Sequence, residues 1–143
     1  MQCTILTVDE LEVIRFELVE ILKGLNVEII NAVSEEEVLR IIGSKEYTIN
    51  IIIWVVNSGD FKCFEALKRV KGNQLCKDIP IIVVSSFTDK KYVLKAIESG
   101  AVEYIARPYD ENTVIKKISR ITGLLNRISN NEVIEDIITF NFT

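Results

Sequence analysis

An α/β fold with one parallel sheet covered by helices on both faces is predicted by three observations. Five short runs rich in Ile and Val alternate with five longer segments whose apolar residues recur every three or four positions. The third run, Ile51 to Val56, is continuously apolar, as a central strand buried on both faces requires. The length, 143 residues, suits one domain with short appendages.

The first strand, Cys3 to Val8, leads through acidic residues into a helix over Leu11 to Gly24. Val27 to Asn31 is the second strand, and Ser34 with the Glu-rich turn behind it opens a helix over Glu35 to Ile42. Ile49 to Val56 is the third strand, nearly pure Ile, Val and Trp, followed by a helix over Phe61 to Lys71. Ile79 to Ser85 is the fourth strand, and Asp89 precedes a helix over Lys90 to Ser99. Val102 to Ala106 is the fifth, with Asp110 opening a helix over Glu111 to Ile128. Gly24, Gly43, Gly72 and Gly100 stand at helix ends, where a left-handed cap is favoured. Trp54 in its apolar strand, and Phe16, Leu18, Ile41 and Ile97 at helical spacing, are assigned to the core. Ser129-Asn130-Asn131 breaks the pattern and divides a domain over residues 1–128 from a tail or linker over 129–143. Three roles stay open for that tail: docking on the domain, pairing with another copy, or opening a further domain.

Composition narrows the function. With 48% hydrophobic and 27% charged residues the chain is globular rather than disordered. The longest apolar run is far below the ~20 residues of a bilayer span, and no basic segment leads into a signal core, so a cytoplasmic protein is expected. Cys3, Cys63 and Cys76 are odd in number and widely spaced, the usage of reduced thiols. The chain has no histidine, which removes the commonest participant in zinc sites and in Ser/His or Cys/His catalysis. A net charge of −4 argues against direct nucleic-acid binding.

Three stretches carry a family resemblance. Ile5-Leu6-Thr7-Val8-Asp9-Glu10, with Arg15 five residues on, is similar to the acidic pair that ends the first strand of response regulator receiver domains of the chemotaxis-regulator type. Ile79-Pro80-Ile81-Ile82-Val83-Val84-Ser85-Ser86 and Glu98-Ser99-Gly100-Ala101-Val102-Glu103-Tyr104-Ile105-Ala106-Arg107-Pro108-Tyr109 resemble the family's fourth-strand and fifth-strand motifs. The likeness spans roughly residues 3–128 and places these motifs at the carboxyl ends of successive strands, where open α/β sheets gather their functional groups. It implies a flavodoxin-like, doubly wound sheet of five parallel strands in the order 2-1-3-4-5, flanked by five helices.

The resemblance departs at the decisive place. Counting back from Phe64-Glu65-Ala66-Leu67-Lys68-Arg69, the phosphoacceptor position at the end of the third strand is Val55, which cannot accept a phosphoryl group. The loop behind it lacks the family's Pro and Gly; Asn57 alone matches, at a position whose carbonyl serves as a metal ligand in the family. The family's Lys is replaced by Arg107, a planar fork rather than a compact ammonium. Ser85 matches the switch hydroxyl, Tyr104 the aromatic that swings inward on activation, and Arg107-Pro108 the family's cis peptide bond.

With one of three carboxylates missing, Mg2+ loses a ligand and a charge. The acidic pocket of Asp9 and Glu10 is expected to hold an Asp9–Arg107 ion pair; Asp9, Glu10 and Asn57 are the weak alternative for Mg2+, and no resident cofactor is expected. Asp60, the one acid in the loop, is expected to cap the third helix. The chain therefore reads as a pseudo-receiver in a bacterial two-component phosphorelay, not an enzyme, binding a protein partner without phosphorylation. The fourth helix, fifth strand and fifth helix are the expected dimer or output surface. The alternatives are the regulatory receiver of a longer enzyme or transcription regulator, and a phosphoacceptor receiver using Asp60.

Overall fold

The computed structural model describes residues 3–123. It is a five-stranded parallel sheet in the order β2-β1-β3-β4-β5, the predicted topology. The strands are β1 (Cys3–Val8), β2 (Val27–Ala32), β3 (Ile51–Val56), β4 (Ile81–Ser85) and β5 (Glu103–Ala106). The helices are α1 (Val13–Ile21), α2 (Glu35–Ser44), α3 (Lys62–Gly72), α4 (Lys90–Glu98) and α5 (Glu111–Thr122).

Strand parity divides the interior into two cores, because successive side chains point to opposite faces. On one face Cys3, Ile5, Ile51, Ile53, Val55, Ile82 and Val84 pack against Ile14 and Leu18 of α1 and Val114 and Ile118 of α5. On the other Leu6, Val8, Ile52, Trp54, Val56, Ile81 and Val83 meet α2, α3 and α4 through Val38, Ile41, Phe64, Leu67, Tyr92 and Ala96. β3, flanked by strands on both sides and helices on both faces, is buried at every position.

Several boundaries differ from the sequence reading. α1 begins at Val13, not Leu11, because Glu12 adopts a left-handed conformation at φ 59° that no helix can contain. β3 and β4 each start two residues later than expected, at Ile51 and Ile81. Gly43 lies inside α2, and the left-handed cap falls to Lys45 at φ 60°. Gly72 is the last residue of α3, which gives way to an extended Asn73. α5 ends at Thr122, where Gly123 takes φ 67°, short of the expected Ile128. Gly100 has φ 117°, and a β-carbon there would lie 2.6 Å from Cγ of Lys71, so a side chain is excluded on both counts.

Ser34 and Asp110 cap α2 and α5 by accepting from Glu37 N and Thr113 N, at 3.2 and 2.7 Å. Asp89 precedes α4 without a side-chain cap bond. Phe16 and Ile97, assigned to the core, are 62% and 55% exposed. Phe16 lies two residues, about 200° of helical rotation, from both Ile14 and Leu18, the buried stripe of α1. On α4 the stripe is Tyr92 and Ala96, and Ile97 turns away with Leu94. The proposed tail over residues 129–143 lies outside the described residues.

Candidate functional site

The carboxyl ends of β1, β3, β4 and β5 bring Asp9, Asn57, Ser85 and Arg107 to one rim of the sheet. Asp9 directly follows β1 and is 2% exposed. Its Oδ1 accepts from Leu11 N at 3.1 Å and its Oδ2 from Ile14 N at 2.9 Å. The Asn57 side-chain amide reaches the same Oδ1 at 3.4 Å, and Asn31 Nδ2 donates to the Asp9 carbonyl at 3.0 Å. α1 has no capping side chain at its own N-cap, Glu12. Asp9 therefore satisfies one of the amides that the start of α1 leaves unpaired, that of Ile14, together with the Leu11 amide just before the helix. Glu10, beside it, is exposed.

Val55 stands one residue before the end of β3, opposite Val84. Its parity sends the isopropyl group into the α1/α5 core beside Ile53 and Val84, where it is 7% exposed. Asp60 is exposed and bonded within its own turn, accepting from Lys62 N at 2.9 Å and from the Ser58 hydroxyl at 3.0 Å. The Lys62 amide at the helix start is the main cause of its lowered pKa. Ser85 is fully buried, and its Oγ accepts from Phe87 N at 2.9 Å. Tyr104 is turned inward, 9% exposed, with its hydroxyl donating to the Phe87 carbonyl; burial pushes the phenol pKa up.

Arg107 does not pair with Asp9, contrary to the expectation from the sequence. Its Nη2 lies 3.0 Å from Oε1 of Glu17 on α1, and the Tyr109 hydroxyl donates to the other oxygen of Glu17. The physical reason is competition for solvation. Asp9 is enclosed and already accepts backbone N–H groups, whereas Glu17 and Arg107 both stay about one-third exposed, so their pair keeps part of its water. The Arg107–Pro108 peptide is cis. Arg107, Pro108 and Tyr109 line a groove with Phe16, Glu17, Glu20, Ile21 and Glu111. Sequence reasoning missed Glu17, which reads as one more solvated acid on a helix; its partners come from a loop about 90 residues away.

The sequence model of the response regulator receiver domain family matches residues 5–119. The chain belongs to that family. Among curated proteins, the receiver is 26% identical over 117 residues to the two-component response regulator ORR5 of Oryza sativa subsp. japonica, covering 82% of this chain and 87% of that one. It is 28% identical over 99 residues to the two-component response regulator-like protein PRR1 of the same plant, covering 69% of this chain and only 19% of that one. Two solved structures share the fold. A response regulator from Thermotoga maritima superposes with a TM-score of 0.74 at 20% identity, over 86% of this chain and 99% of that one. The receiver domain of the sensor histidine kinase PA1611 from Pseudomonas aeruginosa PAO1, whose active-site cleft coordinates magnesium, superposes with a TM-score of 0.70 at 15% identity, over 86% and 99%.

The donor set of this receiver fits a divalent cation poorly. Mg2+ demands several oxygens in near-octahedral array. Position 55 offers none, and both Asp9 oxygens already accept backbone hydrogens. No group of three or more His, Cys, Asp or Glu side chains arranged for a metal occurs among the described residues.

The Tyr109 phenol is held well above its usual range, first by burial and then by its hydrogen bond to Glu17, whose charge disfavours a second anion. Glu17→Gln removes that charge and is expected to bring the Tyr109 titration down, seen as tyrosinate absorbance missing from a Tyr109→Phe control. An unmoved titration would show that Glu17 has no hold on the ring.

Proposed function

We propose that this receiver is a pseudo-receiver, an interaction module in a two-component pathway that signals through protein binding without being phosphorylated. The observation that carries the reading is Val55: the acceptor position holds an apolar side chain that completes the α1/α5 core. Two features support it. The Asp9 carboxylate serves the start of α1, and Arg107 serves Glu17 rather than a phosphoryl group. On this reading the domain acts in the cytoplasm, has no catalytic residue and no resident metal, and makes no nucleic-acid contact of its own.

The partner surface is proposed at α4, β5 and α5, through which a second copy of the chain could also pair. Leu94 and Ile97 of α4 and Val102 before β5 are about half exposed there. The adjoining Lys117 is tied at 3.0 Å to Glu103 and at 2.9 Å to the Tyr104 carbonyl. With no phosphoryl group to bias the two forms of this face, the partner must supply the energy through unequal affinity for them. Ser85 and Tyr104 are the proposed switch residues. The buried position of Tyr104, bonded to the Phe87 carbonyl, supports a resting state with the aromatic turned in.

Amide hydrogen exchange of α4, β5 and α5 with and without acetyl phosphate and Mg2+ tests the proposal. Identical profiles are expected, and protection that changes with the phosphodonor would overturn it. A second reading, the receiver portion of a longer regulator, is favoured by the match to PRR1, of which this chain covers 19%. Genomic sequence downstream of the Thr143 codon distinguishes the two.

A further inference from the structure

The β3–α3 loop, residues 57–61, is joined to the β4–α4 connection by an aromatic cluster. The Tyr92 hydroxyl, in the first turn of α4, donates to the Gly59 carbonyl at 3.1 Å. The Tyr92 ring meets Phe61 edge-on at 5.4 Å and Phe87 at 5.0 Å, and Phe61 continues to Phe64 at 5.9 Å. Such ring pairs contribute about 0.5–1.5 kcal/mol each beyond the area they bury. Gly59 packs closely against it: a β-carbon there would sit 3.3 Å from the Phe87 ring and 3.4 Å from the Tyr92 hydroxyl, tight enough that the rings would have to give slightly.

The same Phe87 also receives the Tyr104 side chain of β5. Its carbonyl accepts from the Tyr104 hydroxyl and its N–H donates to Ser85 Oγ at 2.9 Å. A continuous set of contacts thus runs from Gly59, through Tyr92 and Phe87, to Tyr104. It links the end of the strand that lacks the acceptor to the face proposed for partners. Beneath it Trp54, Val83 and Tyr104 stand in register on adjacent strands, so the cluster sits on a rigid row of the sheet.

We infer that Tyr92 and Phe87 form a latch that couples the β3–α3 loop to Tyr104, so that a partner gripping the loop reaches the α4–β5 face with no phosphoryl group. This rests on the phosphorylation-independent reading and supplies the regulation it lacks. Coupling requires more than proximity; a change at one end must be felt at the other and be lost when the link is cut.

The test is a double-mutant cycle read by amide chemical shifts in solution. Tyr104→Phe deletes one hydroxyl on β5 and is expected to move the Ser58, Gly59 and Asp60 amides, well clear of any shift in β1 or α5. In a Tyr92→Phe background, which keeps the ring but not its bond to Gly59, the same substitution is expected to leave those loop amides still. Gly59→Val, which pushes the latch apart from the loop side, is expected to shift Phe87 and Tyr104 in turn. An unresponsive loop, a loop response that survives Tyr92→Phe, or shifts spread evenly through β1 and α5 would each overturn the latch. None of these measurements uses a phosphodonor. Phosphorylation of the wild-type chain would sink the parent reading while leaving the latch result intact, and the reverse also holds.

Discussion

Val55→Asp is expected to destabilise the domain by about 3 kcal/mol at neutral pH and to leave it unphosphorylated by small phosphodonors. The substituted side chain enters an apolar core, with Asp9 at the adjoining strand end and itself 2% exposed. Burial and a neighbouring carboxylate both disfavour a second negative charge, so the introduced acid titrates above its unfolded value. The sign follows by linkage: the penalty is full above the raised folded-state pKa, shrinks as pH falls from there toward the unfolded carboxylate pKa, and is gone below it. Denaturant midpoints across that range, with Val55→Asn as the uncharged control, separate charge from polarity. A variant as stable as the parent at neutral pH would mean that the pocket already accommodates an acceptor carboxylate.

Asp9→Ala is expected to cost about 2–3 kcal/mol, the range for losing hydrogen bonds to a charged acceptor at a helix start. The Ile14 N–H then loses its partner in a turn whose Ile14 side chain is only 1% exposed, while Asp9→Asn keeps one acceptor oxygen and loses less. The direction is what discriminates. In a site where clustered carboxylates await a cation, removing one relieves repulsion and raises stability; here the carboxylate is engaged by backbone N–H groups, and removing it must lower stability. Thermal unfolding of the two variants without added metal gives the answer.

The sheet was legible because its strands obey simple rules. An uninterrupted apolar run such as Ile51 to Val56 can survive only between helices on both faces, and that fixed the central strand and the parallel architecture. The acceptor position at Val55 rests on the resemblance alone, counted back from the Phe64 motif, which lies in the first turn of α3. What escaped was whatever depends on partners distant in sequence. Phe16 is apolar at a plausible spacing, but the phase of α1 is set by Ile14 and Leu18, and one misjudged turn exposes it. Asp9 reads as a site acid because its capped amides belong to the next element, and the N-cap position, Glu12, carries no cap bond. Arg107 was assigned to the nearest expected acid, whereas burial of Asp9 and the packing of α1 beside the β5–α5 loop deliver it to Glu17. The aromatic set of Phe61, Phe87 and Tyr92 comes from three separate connections and has no period to betray it.

The most direct measurement is the intact mass of the wild-type protein after incubation with acetyl phosphate and Mg2+. No gain in mass is predicted, since on the proposed reading the acceptor position is held by the isopropyl group of Val55. An adduct of one phosphoryl group, mapped to Asp60 or to any other carboxylate of the rim, would contradict the account.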